Sequence, residues 1–162
     1  MANLFEPHFD DDQERDGFTY RRARLGRQAG SKRLGASLFE LQPGSAAWPM
    51  HYHLANEEML IVISGRPALR DLAGERELEP GDVIALPIGE RGAHQVVNRT
   101  PEPARILVIS EMNAPDVVVR PESGKLSAMG RAPGGAGEGL HEVFFRRDSV
   151  PFWEGEEPPA GG

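Results

Sequence analysis

The chain has 162 residues, with 18 Lys and Arg against 25 Asp and Glu and a formal net charge of −7. That length suits one domain with a proper core, and 39% hydrophobic with 27% charged residues is a globular rather than a disordered composition. The acidic balance argues against nonspecific nucleic-acid binding, and the absence of cysteine excludes disulfides and thiolate metal sites.

The first residues, MANLFEPHFDDD, lack a basic segment followed by an apolar run. No signal peptide is read there, and a soluble cytoplasmic protein is expected. Residues 59–63 form the longest aliphatic run, far too short to span a bilayer. Residues 1–33 read as an N-terminal arm. It holds the acidic run Asp10, Asp11 and Asp12 and a basic cluster that includes Arg15, Arg21, Arg22, Arg24 and Arg27. The cluster contacts an anion, or it is the solvated face of an arm that crosses its own barrel or a neighbouring subunit. The net negative charge favours the second. Phe5, Phe9, Phe18 and Tyr20 imply that parts of the arm dock.

Short strands then follow at regular spacing. They are predicted over 34–41, over 48–53 with Pro49 marking an edge or bulge, and over 58–63. A hairpin runs over 67–72 and 75–78 around Ala73-Gly74. After the turn Pro80-Gly81-Asp82 come strands over 83–86, 94–97 and 105–110, with 117–119 as one more. The 19 glycines and 14 prolines punctuate these runs, which argues for an all-β sandwich or barrel. Residues 34–111 are expected to form the barrel and 112–162 a C-terminal extension. Within it, 130–139 reads as a mobile glycine-rich loop. Phe144, Phe145, Phe152 and Trp153 are expected to pack on the barrel or on a partner subunit, and the end to fray.

The chemistry concentrates in HYHLANEEMLIVISG, residues 51–65. In a strand, residues two apart point to one face, so His51 and His53 present two imidazoles together. Glu57 and Glu58 follow within a short turn, and a third histidine, His94, begins a later strand. Imidazoles with a carboxylate at the mouth of an apolar pocket outline a site for a divalent transition metal. Iron, manganese, nickel, cobalt, copper and zinc all suit such ligands. Leu60 and Val62 share the Glu58 face and Val96 shares the His94 face. They line the pocket or simply pack the core. Asn98 reads as a structural residue that ends a strand by hydrogen bonds.

These residues resemble the two motifs of the cupins. Gly44, His51, His53, Glu58 and Gly65 fill the first, with one extra residue before His51. Gly81, Pro87, Gly89, His94 and Asn98 fill the second, with two extra residues between Gly89 and His94. Counting back from Gly65 selects Glu58 rather than Glu57. The resemblance implies a double-stranded β-helix, or jelly-roll, barrel, often a homodimer. It also implies a divalent metal held by His51, His53, Glu58 and His94, with two positions left open on an octahedral ion. Isomerase, dioxygenase, lyase and decarboxylase activities all occur on that scaffold, and the fold does not choose among them. The expectation is a metal-dependent enzyme acting on a small molecule, of isomerase or dioxygenase type. The alternative is a non-catalytic small-molecule binding or sensor protein. The chain looks most like small bacterial single-domain cupins with a long C-terminal tail, some labelled sugar-phosphate isomerases. For that chemistry Arg66, Arg70, Arg91 or Arg99 would contact phosphate, against the simpler reading that each is a solvated surface charge.

Overall fold

The computed structural model describes residues 2–130 and 139–157. Its strands are β1 (Asp11–Gln13), β2 (Tyr20–Ala23), β3 (Leu34–Leu41), β4 (Tyr52–His53), β5 (Glu58–Ser64), β6 (Ala68–Arg70) and β7 (Glu75–Glu77). They continue as β8 (Val83–Leu86), β9 (Gln95–Val97), β10 (Ala104–Glu111), β11 (Asp116–Arg120), β12 (Lys125–Met129) and β13 (His141–Phe145). One short helix, α1 (Leu25–Gln28), follows β2. All pairings are antiparallel. The largest sheet has the order β1-β2-β3-β10-β5-β8, and two smaller sheets have the orders β7-β6-β9 and β13-β12-β11-β4. Bridges from Ala46 to Val97 and from His51 to His94 tie the segment before β4 to the β9 region. This is the expected jelly-roll barrel.

Alternation along the central strands decides where the core sits. On β10, Ala104, Ile106, Val108 and Ser110 are buried on one face. They meet Phe39 and Leu41 of β3 and Leu60 and Val62 of β5, whose faces the register aligns. Leu69 of β6, Leu86 of β8 and Val96 of β9 close the same cluster from the other side. Each such side chain contributes about 1.5–3 kcal/mol by leaving water.

The opposite face of the same sheet carries Leu38, Ile63 and Leu107, and the N-terminal arm covers it. Leu4, Phe9, Ala23 and Leu25 pack there. The arm is therefore more ordered than the sequence suggested. β1 and β2 extend the sheet beyond β3, with Asp11 opposite Arg22 and Arg22 opposite Phe39. The acidic run and the basic cluster meet each other. Arg24 Nη1 donates to Asp10 Oδ1 at 2.9 Å, and Arg24 Nη2 to Asp11 Oδ2 at 3.0 Å. Charges close in sequence but of opposite sign were placed on two facing strands, which periodicity alone does not reveal.

Two other differences have local causes. The predicted strand over 48–53 is reduced to Tyr52–His53, because Pro49 has no N–H to give a ladder. Strand β12 was not anticipated. It returns from β11 through Gly124, whose φ of +62° suits a left-handed turn that side chains resist. At the end of the barrel away from the histidines, Asn98 is fully buried. Its Nδ2 donates to the carbonyls of Leu41 at 3.1 Å and Glu102 at 2.7 Å, and its Oδ1 accepts from Thr100.

Beyond Met129, β13 pairs with β12, yet all five of its residues are exposed. Phe152 and Trp153 are 82% and 76% exposed and touch each other rather than the barrel. The glycine-rich loop expected over 130–139 falls almost wholly outside the described residues, as does the frayed end from 158 onward. Among the described residues no helix is long and apolar enough to cross a membrane.

Leu38 tests the docked arm, since it is fully buried in the cluster to which the arm contributes Ala23 and Leu25. Leu38→Ala should cost about 2–5 kcal/mol in urea unfolding, and a loss below about 1 kcal/mol would mean that the arm does not cover this face.

Candidate metal centre

The barrel brings three histidines and one glutamate to one end. His53 ends β4, and Glu58 opens β5 between Ser110 of β10 and Leu86 of β8. His51 and His94 exchange both backbone hydrogen bonds, His51 N to His94 O at 3.1 Å and His94 N to His51 O at 2.9 Å. That exchange sets their rings side by side, centroids 4.6 Å apart. The ligand atoms of His51, His53 and Glu58 lie within 4.8 Å of one another. His94 Nε2 lies 3.6 Å from Glu58 Oε2, and His53 Nε2 lies 3.8 Å from the same oxygen. Glu57, the neighbour on the other strand face, is exposed, with its backbone N–H donating to Glu111 Oε2 at 3.2 Å.

Each imidazole is held by its other nitrogen. His53 Nδ1 donates to Asp116 Oδ2 at 2.5 Å, His51 Nδ1 to the Pro49 carbonyl at 3.0 Å, and His94 Nδ1 to the Gly92 carbonyl at 2.8 Å. All three partners only accept, so in each neutral ring the proton sits on Nδ1 and the lone pair on Nε2. This is the arrangement that metal-ligating histidines adopt. His94 Nε2 is buried without a hydrogen-bond partner. A buried polar atom left unpaired is costly, and a cation among these four groups would pair it. The donor set therefore fits a divalent transition metal.

Local sequence explains two of the tethers. A Cβ on Gly92 would lie 1.8 Å from the Pro87 carbonyl oxygen, so only glycine lets the Glu90–Gly92 turn fold back and offer its carbonyl to His94. Pro49 breaks the strand and frees its own carbonyl for His51. The third tether comes from Asp116, 63 residues from His53 in sequence and fully buried. Asp116 also accepts from Ala55 N at 3.0 Å. It begins an apolar run, and no spacing links it to the histidines, so sequence reading passed over it.

Electrostatics divides the three rings. Burial, with the neighbouring His94 and His53, holds His51 well below the usual histidine range. Burial also lowers His94, against the opposing pull of Glu58. His53 is lowered by burial too, but the Asp116 hydrogen bond and the Glu58 charge outweigh that and leave it raised. Burial thus favours the neutral, ligating form of His51 and His94, while His53 is the ring for which a proton competes.

A cavity of about 140 Å³ opens beside His51 and Glu58. Phe39, Trp48, Val108 and Met112 give its apolar wall, and Arg22, Ser37 and Ser110 its polar one. Leu60, Val62 and Val96 are at most 2% exposed and lie deeper, in the core cluster. The arginines offered for phosphate lie elsewhere. Arg66 pairs with Glu77 and Glu79, Arg99 with Glu75, and Arg70 with Glu122. Arg91 lines a separate depression with Asp71 and Glu90. Arg22 was read only as one charge among several in the arm. Nothing in the local sequence separates it from Arg21 or Arg24.

Residues 37–110 match the family model described as the cupin domain. A crystal structure from Silicibacter pomeroyi DSS-3, described as a sugar phosphate isomerase of the cupin superfamily, is 25% identical. The match covers 95% of this chain and 98% of that one, with a TM-score of 0.76. A candidate sugar phosphate isomerase from Acidithiobacillus ferrooxidans ATCC 23270 is 26% identical over 84% of this chain and 82% of that one, TM-score 0.72. The polyketide cyclase RemF from Streptomyces resistomycificus shares the fold, at 23% identity, 68% and 78% coverage and a TM-score of 0.57. No curated protein sequence matches the chain.

Asp116→Asn removes the charge that orients and raises His53 while keeping the side-chain shape. Metal affinity at pH 8, from competition titration, should fall about 10–100-fold. In the wild type, affinity should drop as pH falls through the raised His53 value, and in the variant that drop should move to lower pH. Identical affinities and pH profiles would remove Asp116 from the site.

Proposed function

The chain is a small cupin-domain protein, and from that premise we propose that it is a divalent-metal-dependent enzyme acting on a small molecule, of sugar phosphate isomerase type. One observation carries the reading. Three imidazoles with their Nδ1 protons tied to acceptors converge with a carboxylate at the mouth of a cavity. His51, His53, Glu58 and His94 would hold the metal, one of Fe, Mn, Ni, Co, Cu or Zn. Bound there, the ion would supply Lewis acidity to a substrate carbonyl or enediolate.

The chain's own residues then do the rest. Asp116, Pro49 and Gly92 fix the ring orientations. Phe39, Trp48, Val108 and Met112 exclude water from one side of the cavity, which strengthens electrostatic contacts inside it. Ser37 and Ser110 offer hydroxyls on the same wall. The two isomerase-type neighbours, at 25% and 26% identity over most of both chains, support the isomerase reading over the dioxygenase one.

A second reading, a non-catalytic binding or sensor protein, draws on a different observation. Among the described residues lining the cavity, only Arg22 is titratable besides His51 and Glu58. Proton transfer between carbons needs a base, and both of those residues are proposed ligands. In either reading the partner is a small molecule rather than a nucleic acid, consistent with the −7 net charge, and the location proposed is cytoplasmic. We also propose a homodimer, supported by the exposed apolar residues Val143, Phe144, Val150, Phe152 and Trp153.

Metal content should be near stoichiometric in wild type and mostly lost in His51→Ala or His94→Ala, with the barrel still folded by circular dichroism. Aldose–ketose interconversion of a sugar phosphate panel, followed by NMR with each metal, should fall about a hundredfold or more in these variants. Full metal occupancy in either variant would sink the site assignment. Ligand-dependent melting without turnover would select the binding protein.

Sedimentation equilibrium should give twice the 17.7 kDa chain mass, and Phe144→Ser with Phe152→Ser should shift it toward monomer. A wild-type monomer at high concentration would reject the dimer.

A further inference from the structure

Three buried side-chain nitrogens have no hydrogen-bond partner among the described residues: Arg22 Nε, Trp48 Nε1 and His94 Nε2. The metal reading accounts for the third. The other two belong to residues that line the same cavity as His51 and Glu58. Both groups can only donate, and buried donors in native proteins nearly always find an acceptor. Here no described residue supplies one to either.

The two residues belong to one wall. Arg22 stands opposite Phe39 across the β2–β3 ladder, and its guanidinium carbon lies 5.8 Å from the Phe39 ring centre. Phe39 meets Trp48 edge-on at 4.8 Å, and Trp48 in turn meets His51 at 5.6 Å and His94 at 5.9 Å. A continuous aromatic contact thus fixes the arm's arginine relative to the metal ligands. Arg22 uses Nη2 for Asp11, a carboxylate that Arg24 also engages at 3.0 Å. The Nε–H is left without a partner among the described residues. Arg66, Arg70 and Arg99 have carboxylate partners outside this cavity.

We propose that Arg22 and Trp48 form a donor pair that binds the oxyanion group, phosphate or carboxylate, of the molecule entering the metal cavity. The inference rests on the cavity being the substrate site proposed above, and it narrows the substrate class to small anionic molecules. The Nε–H of a charged guanidinium gives such groups a charge-assisted hydrogen bond, and the indole N–H adds a neutral donor. Glu58 brings negative charge to the cavity, and Asp11 already engages the Arg22 guanidinium. A bound divalent cation together with Arg22 would offset that charge, so the anion should bind best when the metal is present.

The test uses the full chain labelled with nitrogen-15 and loaded with Zn²⁺, which is diamagnetic. Inorganic phosphate and, separately, acetate are titrated in. The Arg22 Nε–H and Trp48 Nε1–H signals are assigned by their disappearance in Arg22→Met and Trp48→Phe. Both signals should move saturably with phosphate, acetate or both. Which anion moves them assigns the group. Affinity should fall about tenfold or more in Arg22→Met with Zn²⁺ content unchanged. Phosphate that binds while both N–H signals stay still would sit on the metal alone and overturn the donor pair. So would wild-type affinity in Arg22→Met, or no saturable binding of either anion. If Arg22→Met does not fold, the wild-type signals and Arg22→Lys decide the question by the same criteria. Failure to take up Zn²⁺ would instead reject the metalloenzyme reading, and the same titration on that protein would still report on Arg22 and Trp48.

Discussion

A polar group withdrawn from water must find a partner, and at one end of this barrel that requirement governs the arrangement. His53, His94 and Asp116 are all buried. Burial alone would make each costly. Asp116 and His53 offset each other at 2.5 Å, the Gly92 carbonyl accepts a hydrogen bond from His94 Nδ1, and the Nε2 atoms of His53 and His94 turn toward Glu58. The tethers that satisfy one side of each ring leave the other side deficient. That deficiency is what marks the cluster as a candidate site.

The same economy extends to the N-terminal arm. One face of the β3–β10–β5 sheet builds the core and the other is apolar enough to need cover. Leu4, Phe9 and Leu25 provide that cover. In crossing the sheet edge, β2 presents alternate residues to its two faces. Ala23 faces the covering layer opposite Leu38, and Tyr20 and Arg22 face inward against Phe39. Stabilising the sheet and delivering a guanidinium to the cavity are thus consequences of one strand's parity.

Much of the barrel was legible because its strands carry period-two alternation broken by turn residues. The run from Glu58 predicted β5 within a residue, and Val83–Leu86 and Leu34–Leu41 appear as strands with those bounds. Where local pattern was weak, reading failed. The sequence KLSAM of β12 has no clear alternation and is a strand because β11 and β13 flank it. Trp48 to His51 looked extended, but Pro49 removes a donor and only a single bridge at His51 remains. The aromatic tail was expected to pack, and within one chain Phe152 and Trp153 are exposed.

The candidate ligands divide in the same way. Sequence alone determined that His51 and His53 share a face, that Glu58 heads an apolar strand and that a third histidine stands at the entry to another. Those are properties of spacing within short segments, and strand geometry converts spacing directly into direction. Only the tertiary structure decided that Asp116 holds His53, that the Gly92 carbonyl holds His94, and that Arg22 and Trp48 share the cavity. These partners come from different strands and loops, up to 63 residues apart. Their meeting depends on sheet order and register, which arise from burying the whole core at once and leave no mark in any local stretch of the chain.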